Sequence, residues 1–103
     1  MNPALDKQIR NLNLILMEQK GKRVKVHGFN EADDYIKTMI DYIILPNQED
    51  ETYSVKLIFK DETTLEYPRV NNIDINENFH PTVWFHEKDM KEPHFKIVFD
   101  YDK

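Results

Sequence analysis

Residues 53–67, Tyr-Ser-Val-Lys-Leu-Ile-Phe-Lys-Asp-Glu-Thr-Thr-Leu-Glu-Tyr, have the sequence pattern of a β-hairpin. Its first half alternates apolar with polar residues, which is the period of a half-buried strand. The polar tetrapeptide Lys60–Thr63 is a turn, after which Leu65 and Tyr67 resume the apolar face. Strands joined by so short a turn are antiparallel, because parallel strands need a long crossover. The predicted inner face holds Tyr53, Val55, Leu57, Phe59, Leu65 and Tyr67.

Strands of the same kind are predicted on both sides of this hairpin. In residues 23–27, two valines point one way while two cations and a histidine point the other. A last hairpin joins Thr82–Glu87 to Phe95–Tyr101 through the polar loop Lys88–His94. The polar run Asn71–Asn78 is expected to interrupt the strands as a loop.

An amphipathic helix is predicted ahead of the strands, over about residues 3–20. Asn2 is placed to cap it, and Pro3 suits its first turn. Lys20 and Gly21 mark its end, because a cation suits the last turn and glycine tolerates the left-handed conformation that follows. The apolar stripe recurs at helical spacing as Leu5, Ile9, Leu12 and Leu16.

Residues 30–45 allow two interpretations. Their apolar period favours a helix, whereas their content of Ile, Thr and Tyr favours a strand. As a strand, Ile36 and Ile40 would share one face with Tyr42 and Ile44. The polar loop Pro46–Glu51 that leads into the next strand favours the strand interpretation. A second helix at about residues 31–44 is the alternative.

The predicted fold is a single α+β domain over residues 1–103, with one N-terminal helix packed on an antiparallel meander sheet of five to six strands. The strand Phe95–Tyr101 is strongly hydrophobic and would form one edge of that sheet. A homodimer through this edge would protect it.

Composition excludes several functional classes. The 103 residues contain no cysteine, which removes disulfides, thiolate zinc sites and thiol catalysis. Two glycines cannot build a glycine-rich phosphate loop. No apolar run approaches the ~20 residues that cross a bilayer, and the start carries no signal-peptide pattern. We therefore expect a cytoplasmic protein with no cofactor and no enzymatic role.

The net charge of −5 is distributed unevenly along the chain. Residues 1–27 carry six Lys/Arg against two Asp/Glu, whereas the remainder carries eight against seventeen. Such an uneven distribution of charge steers binding partners electrostatically but does not specify the fold.

The leading functional hypothesis is a small acidic protein-binding module, such as an inhibitor, an immunity or antitoxin-type protein, or a phage-encoded regulator. Its acidic surface would cover a basic surface of a protein partner, for example the substrate channel of a nuclease. The acidic residues predicted to bind lie at turns and are Asp33, Asp34, Glu49, Asp50, Glu51, Asp61 and Glu62.

Trp84 is a further candidate for binding, because tryptophan is frequent at interface hot spots. The plainer interpretation, which we favour, places it in the core under the helix, since a single tryptophan is most often largely buried. The two interpretations differ in the face of the strand on which Trp84 lies.

A metal-dependent enzyme is the first alternative. His86 and His94 face each other if the last hairpin aligns, and a carboxylate such as Glu87 would complete an open site. His80 lies six residues before His86. None of these spacings matches a metal-binding motif.

A nucleic-acid binder is the second alternative. Lys22, Arg23 and Lys25 would lie together on one strand and could follow phosphates. The acidic remainder of the chain would repel a polyanion, and aromatic residues do not interleave with these cations.

Overall fold

The computed structural model describes residues 3–27, 35–76, 81–88 and 95–98. These residues form one helix and six strands. The elements are α1 (Pro3–Gln19), β1 (Lys22–His27), β2 (Tyr35–Asn47), β3 (Thr52–Phe59), β4 (Thr64–Asn76), β5 (Thr82–Glu87) and β6 (Phe95–Val98). In these ranges no helix has the length and apolar character needed to cross a membrane.

Helix α1 confirms the predicted helix over residues 3–20. Asp6 lies in its first turn, where the helix dipole stabilises an anion. Gly21 follows with φ of +82°, a conformation that glycine adopts without the strain of a side chain. The predicted apolar stripe is buried against the sheet and consists of Leu5, Ile9, Leu12 and Leu16.

Strands β1 to β5 form an antiparallel meander in which each strand pairs with the next. The α+β prediction of one helix on a meander of five to six strands is therefore confirmed. The short strand β6 pairs with both β5 and β1 and closes the sheet into a barrel. The free edge predicted at Phe95–Tyr101 is thus wrong for Phe95–Val98, because β1 and β5 occupy both sides of this strand. Residues 99–101 lie outside the described residues.

The β3–β4 hairpin has the predicted inner face, with Val55, Leu57, Phe59 and Tyr67 all buried. The Tyr67 ring stacks on Phe85 of β5, with centroids 4.3 Å apart and planes 16° apart. Both rings are buried in the core on the inner face of the sheet.

Strand β2 settles the ambiguous segment, because residues 35–47 are extended and the helix alternative is wrong there. The register with β3 shifts between Met39 and Asp41, so Ile40 is the extra residue of a β-bulge. The bulge changes which residues face inward. Met39 is buried, whereas Ile36 and Ile40, which the strand interpretation placed with Tyr42 and Ile44, are exposed.

Strand β4 continues through Asn76, so the loop predicted over Asn71–Asn78 is wrong for Asn71–Asn76. Ile73 pairs with Phe85 and is buried, which holds this polar stretch in the sheet. The Gln8 side chain of α1 satisfies polar groups of this stretch. The Ile73 amide donates to Oε1 of Gln8 at 3.1 Å, and Nε2 of Gln8 donates to Oδ1 of Asn72 at 2.9 Å. Helix α1 is thereby fixed against β4.

Candidate protein-binding surface

The tripeptide Asp-Glu-Thr occurs twice, at residues 50–52 and 61–63, and forms the same local structure in two turns. In the first, Oδ1 of Asp50 accepts bonds from the Thr52 hydroxyl at 2.6 Å and from its amide at 3.3 Å. Arg69 Nε donates to Oδ2 of Asp50 at 3.0 Å. The Thr52 hydroxyl is the main cause of the lowered pKa of Asp50, with Arg69 adding to it.

The second turn has the same design. Oδ1 of Asp61 accepts bonds from the hydroxyl and amide of Thr63, and Lys37 Nζ lies 3.0 Å from Oδ2. These contacts lower the pKa of Asp61 to about 2, with the Thr63 hydroxyl as the largest cause. The intervening residues Glu51 and Glu62 have φ of 58° and 71°, the left-handed conformation of a tight turn. Both aspartates therefore hold the turns together.

The structure does not bring the predicted acidic residues together. One turn lies before β3 and the other after it, and the eight residues of this strand span about 26 Å. Glu49, Glu51 and Glu62 are exposed at the two separate ends. Asp33 and Asp34 lie outside the described residues.

The metal site of the first alternative is only partly described, because His80 and His94 lie outside the described residues. Nε2 of His86 contacts Oδ2 of Asp74 at 2.6 Å on the outer face of the sheet. Within the described ranges, no group of three or more His, Asp and Glu side chains could hold a metal ion. His86 therefore has a carboxylate partner on β4.

Trp84 lies on the outer face of β5, so its favoured placement in the core is wrong. Its neighbours Val83 and Phe85 are buried and point inward, and strand alternation turns Trp84 outward, where it is half-buried. It pairs across the sheet with Asp74. Trp84 stays a candidate for binding.

The cations predicted to bind nucleic acid are on β1. Val24 and Val26 are buried, as predicted, and strand alternation places Arg23 and Lys25 on the other face. Arg23 pairs with Thr38 and Lys25 with Ile36 across the β1–β2 ladder. Their neighbours on β2 are thus a threonine and an exposed isoleucine.

The large apolar side chains that are exposed in the described residues all lie on α1 and β2. Their exposed fractions run from 40% for Ile36 to 60% for Leu14. We call this set the α1–β2 face; it comprises Leu14, Met17, Ile36, Ile40, Ile43 and Leu45. Large apolar side chains left exposed on neighbouring elements are candidates for an interaction site.

A groove of about 440 Å³ joins the helix to the strand within this face. Ile9, Leu14 and Ile44 give it apolar walls, and Arg10 and Asn13 supply polar groups. Asn13 is held in place by Tyr42, whose hydroxyl donates to Oδ1 of Asn13 at 2.6 Å. The groove is therefore bounded by a fixed helix and a fixed strand.

Strand β2 presents a free edge beside this groove. Strand β1 pairs with β2 through Tyr35–Met39, whereas residues 41–47 pair with β3 alone among the described strands. Pro46 lies on this second half and cannot donate a ladder hydrogen bond, as expected at an edge. The edge and the groove thus meet at Ile44, and Leu14 is the member of the α1–β2 face that lines the groove.

A second depression in the described part of the chain is already occupied by internal contacts. It has a volume of about 560 Å³ and lies beside Pro46, Pro68 and Arg69. Its wall includes Asp50, which pairs with Arg69 and caps Thr52. This depression belongs to the turn rather than to an open apolar surface.

Sequence reasoning missed the α1–β2 face. Leu14 and Met17 lie off the apolar stripe of α1, and apolar residues outside the buried stripe of a helix are the signal that would have identified them. The outward rotation of Ile40 depends on the bulge, for which the sequence has no marker.

Searches of protein-family models, curated proteins and solved structures with this chain find no match.

Proposed function

We propose that this protein is a binding module for another protein and that the α1–β2 face is its docking surface. The observation that carries the proposal is the concentration of exposed apolar side chains on α1 and β2. Leaving them in water costs about 25 cal/mol per Å² of apolar area, which a partner would recover by covering them. The proposal retains the protein-binding module predicted from the sequence, but it assigns binding to the α1–β2 face instead of the acidic turns.

The acidic turns are the weaker docking surface. Asp50 and Asp61 already accept hydrogen bonds from Thr52 and Thr63 and pair with Arg69 and Lys37. A partner would have to break these bonds before it could use either carboxylate. The remaining glutamates are exposed surface charges, and single charges of this kind affect association rate more than affinity.

The test starts from partner proteins captured from extracts of the native host and purified. Affinity for each is then compared between wild type, the double variant Leu14→Glu/Leu45→Glu and the triple variant Glu49→Gln/Glu51→Gln/Glu62→Gln. Because buried apolar anchors carry most of the binding free energy, the double variant should bind about 100-fold more weakly. The triple variant should stay within about threefold.

Circular dichroism and thermal melting of both variants serve as the control for folding. Strong binding by the double variant together with loss of binding by the triple variant would place the docking surface at the acidic turns and overturn the proposal.

A further inference from the structure

We infer that the partner adds an extended acidic segment as a strand to the free edge of β2. This inference rests on the proposed function, because it names how the α1–β2 face would be occupied. Strand addition at an exposed edge is an established mode of peptide recognition, with backbone hydrogen bonds supplying affinity and side-chain pockets supplying specificity.

The backbone of β2 alternates in the direction of its hydrogen bonds. The Tyr42 amide donates to Oδ1 of Asp41 at 2.8 Å, and we assign the Tyr42 backbone to the free edge because this amide bonds outside the ladder with β3. Two residues further on, Ile44 faces the same way, and Pro46 follows without an amide hydrogen. Alternation along an antiparallel strand then assigns to this edge the carbonyls of Tyr42, Ile44 and Pro46 and a single amide, that of Ile44.

The groove accepts the side chains of such a segment. Alternate residues of an added strand point toward the helix, where Ile9, Leu14 and Ile44 form the apolar walls. The volume of about 440 Å³ accommodates a few aliphatic side chains. A segment with apolar residues at every second position fits this arrangement.

Charge favours an acidic segment. Arg10 lines the groove and is exposed, and within the described residues its side chain forms no ion pair. Lys7, one turn away on α1, is exposed and lies outside the groove lining. A carboxylate at a polar position of the added strand would pair with the Arg10 guanidinium.

A second copy of this chain is a poorer occupant of the edge. Two β2 edges would each supply carbonyls at Tyr42, Ile44 and Pro46 but a single available amide. Paired with each other, they would leave carbonyls without donors, and buried unpaired carbonyls are costly. A different chain with a full set of amides matches the acceptor-rich edge better.

The probe for the test is a nine-residue peptide in which valine alternates with glutamate and threonine. Binding is measured by NMR titration up to several millimolar, against two control peptides. One is N-methylated on its central five amides, and the other has lysine in place of glutamate. The N-methylated peptide loses backbone hydrogen bonds, and the lysine peptide loses the ion pair with Arg10. Each such loss weakens binding by about tenfold, so both control peptides should bind at least about tenfold more weakly than the probe.

The protein variants test the position of the charge. Arg10→Glu should weaken binding of the acidic peptide by about tenfold, whereas the matched variant Lys7→Glu, outside the groove lining, should change it by less than about twofold. No binding at several millimolar, or equal binding of the N-methylated peptide, would overturn strand addition. Concentration-dependent dimerisation of the free protein through β2 would overturn the assignment to a different chain.

Failure of this inference is distinguishable from failure of the proposed function. If Leu14→Glu/Leu45→Glu abolishes partner binding while the N-methylated peptide binds as well as the probe, the docking surface is retained and the strand mode is wrong.

Discussion

The carboxylate of Asp41 accepts a hydrogen bond from the amide of the next residue, Tyr42, at 2.8 Å. The same carboxylate lies 3.3 Å from Nζ of Lys20 at the end of α1. Both contacts lower the pKa of Asp41, and the hydrogen bond from the Tyr42 amide is the largest single cause. Asp41 therefore binds the Tyr42 amide, a donor that a neighbouring strand would otherwise use. This amide lies just beyond the last residue of β2 that pairs with β1.

Removing the hydrogen bond between Asp41 and the Tyr42 amide should increase self-association through the β2 edge. Asp41→Ala frees the Tyr42 amide, so two β2 edges can exchange more hydrogen bonds, and we expect increased dimer formation in sedimentation velocity. Asp41→Asn keeps a side-chain oxygen that can accept the bond and is the matched control. Equal association of wild type and Asp41→Ala would contradict this role of Asp41.

Acid should weaken the protein through its turn aspartates. The pKa of Asp61 is lowered to about 2 from an ordinary value of 3.8, so the folded state binds this proton less readily than the unfolded state. The stabilisation is therefore fully present above about pH 4 to 5 and is lost as the pH falls through about 2. Melting temperatures between pH 6 and 2 should fall less steeply for Asp61→Asn than for wild type.

The matched control for this experiment is Glu62→Gln, in the same turn. An Asp61→Asn profile that runs parallel to wild type would show that Asp61 does not contribute to the acid dependence.

The contact of Gln8 with β4 should be important for stability. Gln8→Ala leaves the part-buried Ile73 amide without its acceptor, and we expect a loss of about 1–3 kcal/mol in the free energy of unfolding. Urea denaturation measures it. Gln8→Glu keeps an oxygen for the Ile73 amide and should recover part of the loss; equal losses for both variants would argue against this bond.

The α1–β2 face should be dispensable for folding. Leu14 and Leu45 are more than half exposed, so replacing each by Glu should change the unfolding free energy by about 0.5 kcal/mol or less. Phe59 is buried, and Phe59→Ala should cost about 3–5 kcal/mol in the same denaturation experiment. A large loss from Leu14→Glu would indicate that this residue supports the fold rather than a docking surface.

The local pattern of the sequence predicted most of the fold. Alternation in residues 53–67 and the stripe beginning at Leu5 report directly which side chains are buried, and both were confirmed. The pattern could not show that Asn71–Asn76 remain in a strand, because the Gln8 side chain that completes their backbone is distant in sequence. Closure by β6 likewise depends on pairing between the two ends of the chain.

The candidate site was less predictable than the fold. Asp50 and Asp61 look like free surface charges in the sequence, and their capping of Thr52 and Thr63 appears only in the folded turns. The free edge of β2 arises because β1 stops pairing at Met39. That end point is set by tertiary packing and has no residue that marks it.

Amide hydrogen exchange at Ile44 tests the claim that β2 receives a partner strand most directly. In the free protein, the Ile44 amide should exchange about 100-fold faster than those of Ile43 and Leu45, which face β3. A saturating concentration of the acidic peptide should slow Ile44 by about tenfold or more, and the N-methylated peptide should leave it unchanged. An Ile44 amide that is as protected as its neighbours in the free protein, or unaffected at saturation, would contradict strand addition at β2.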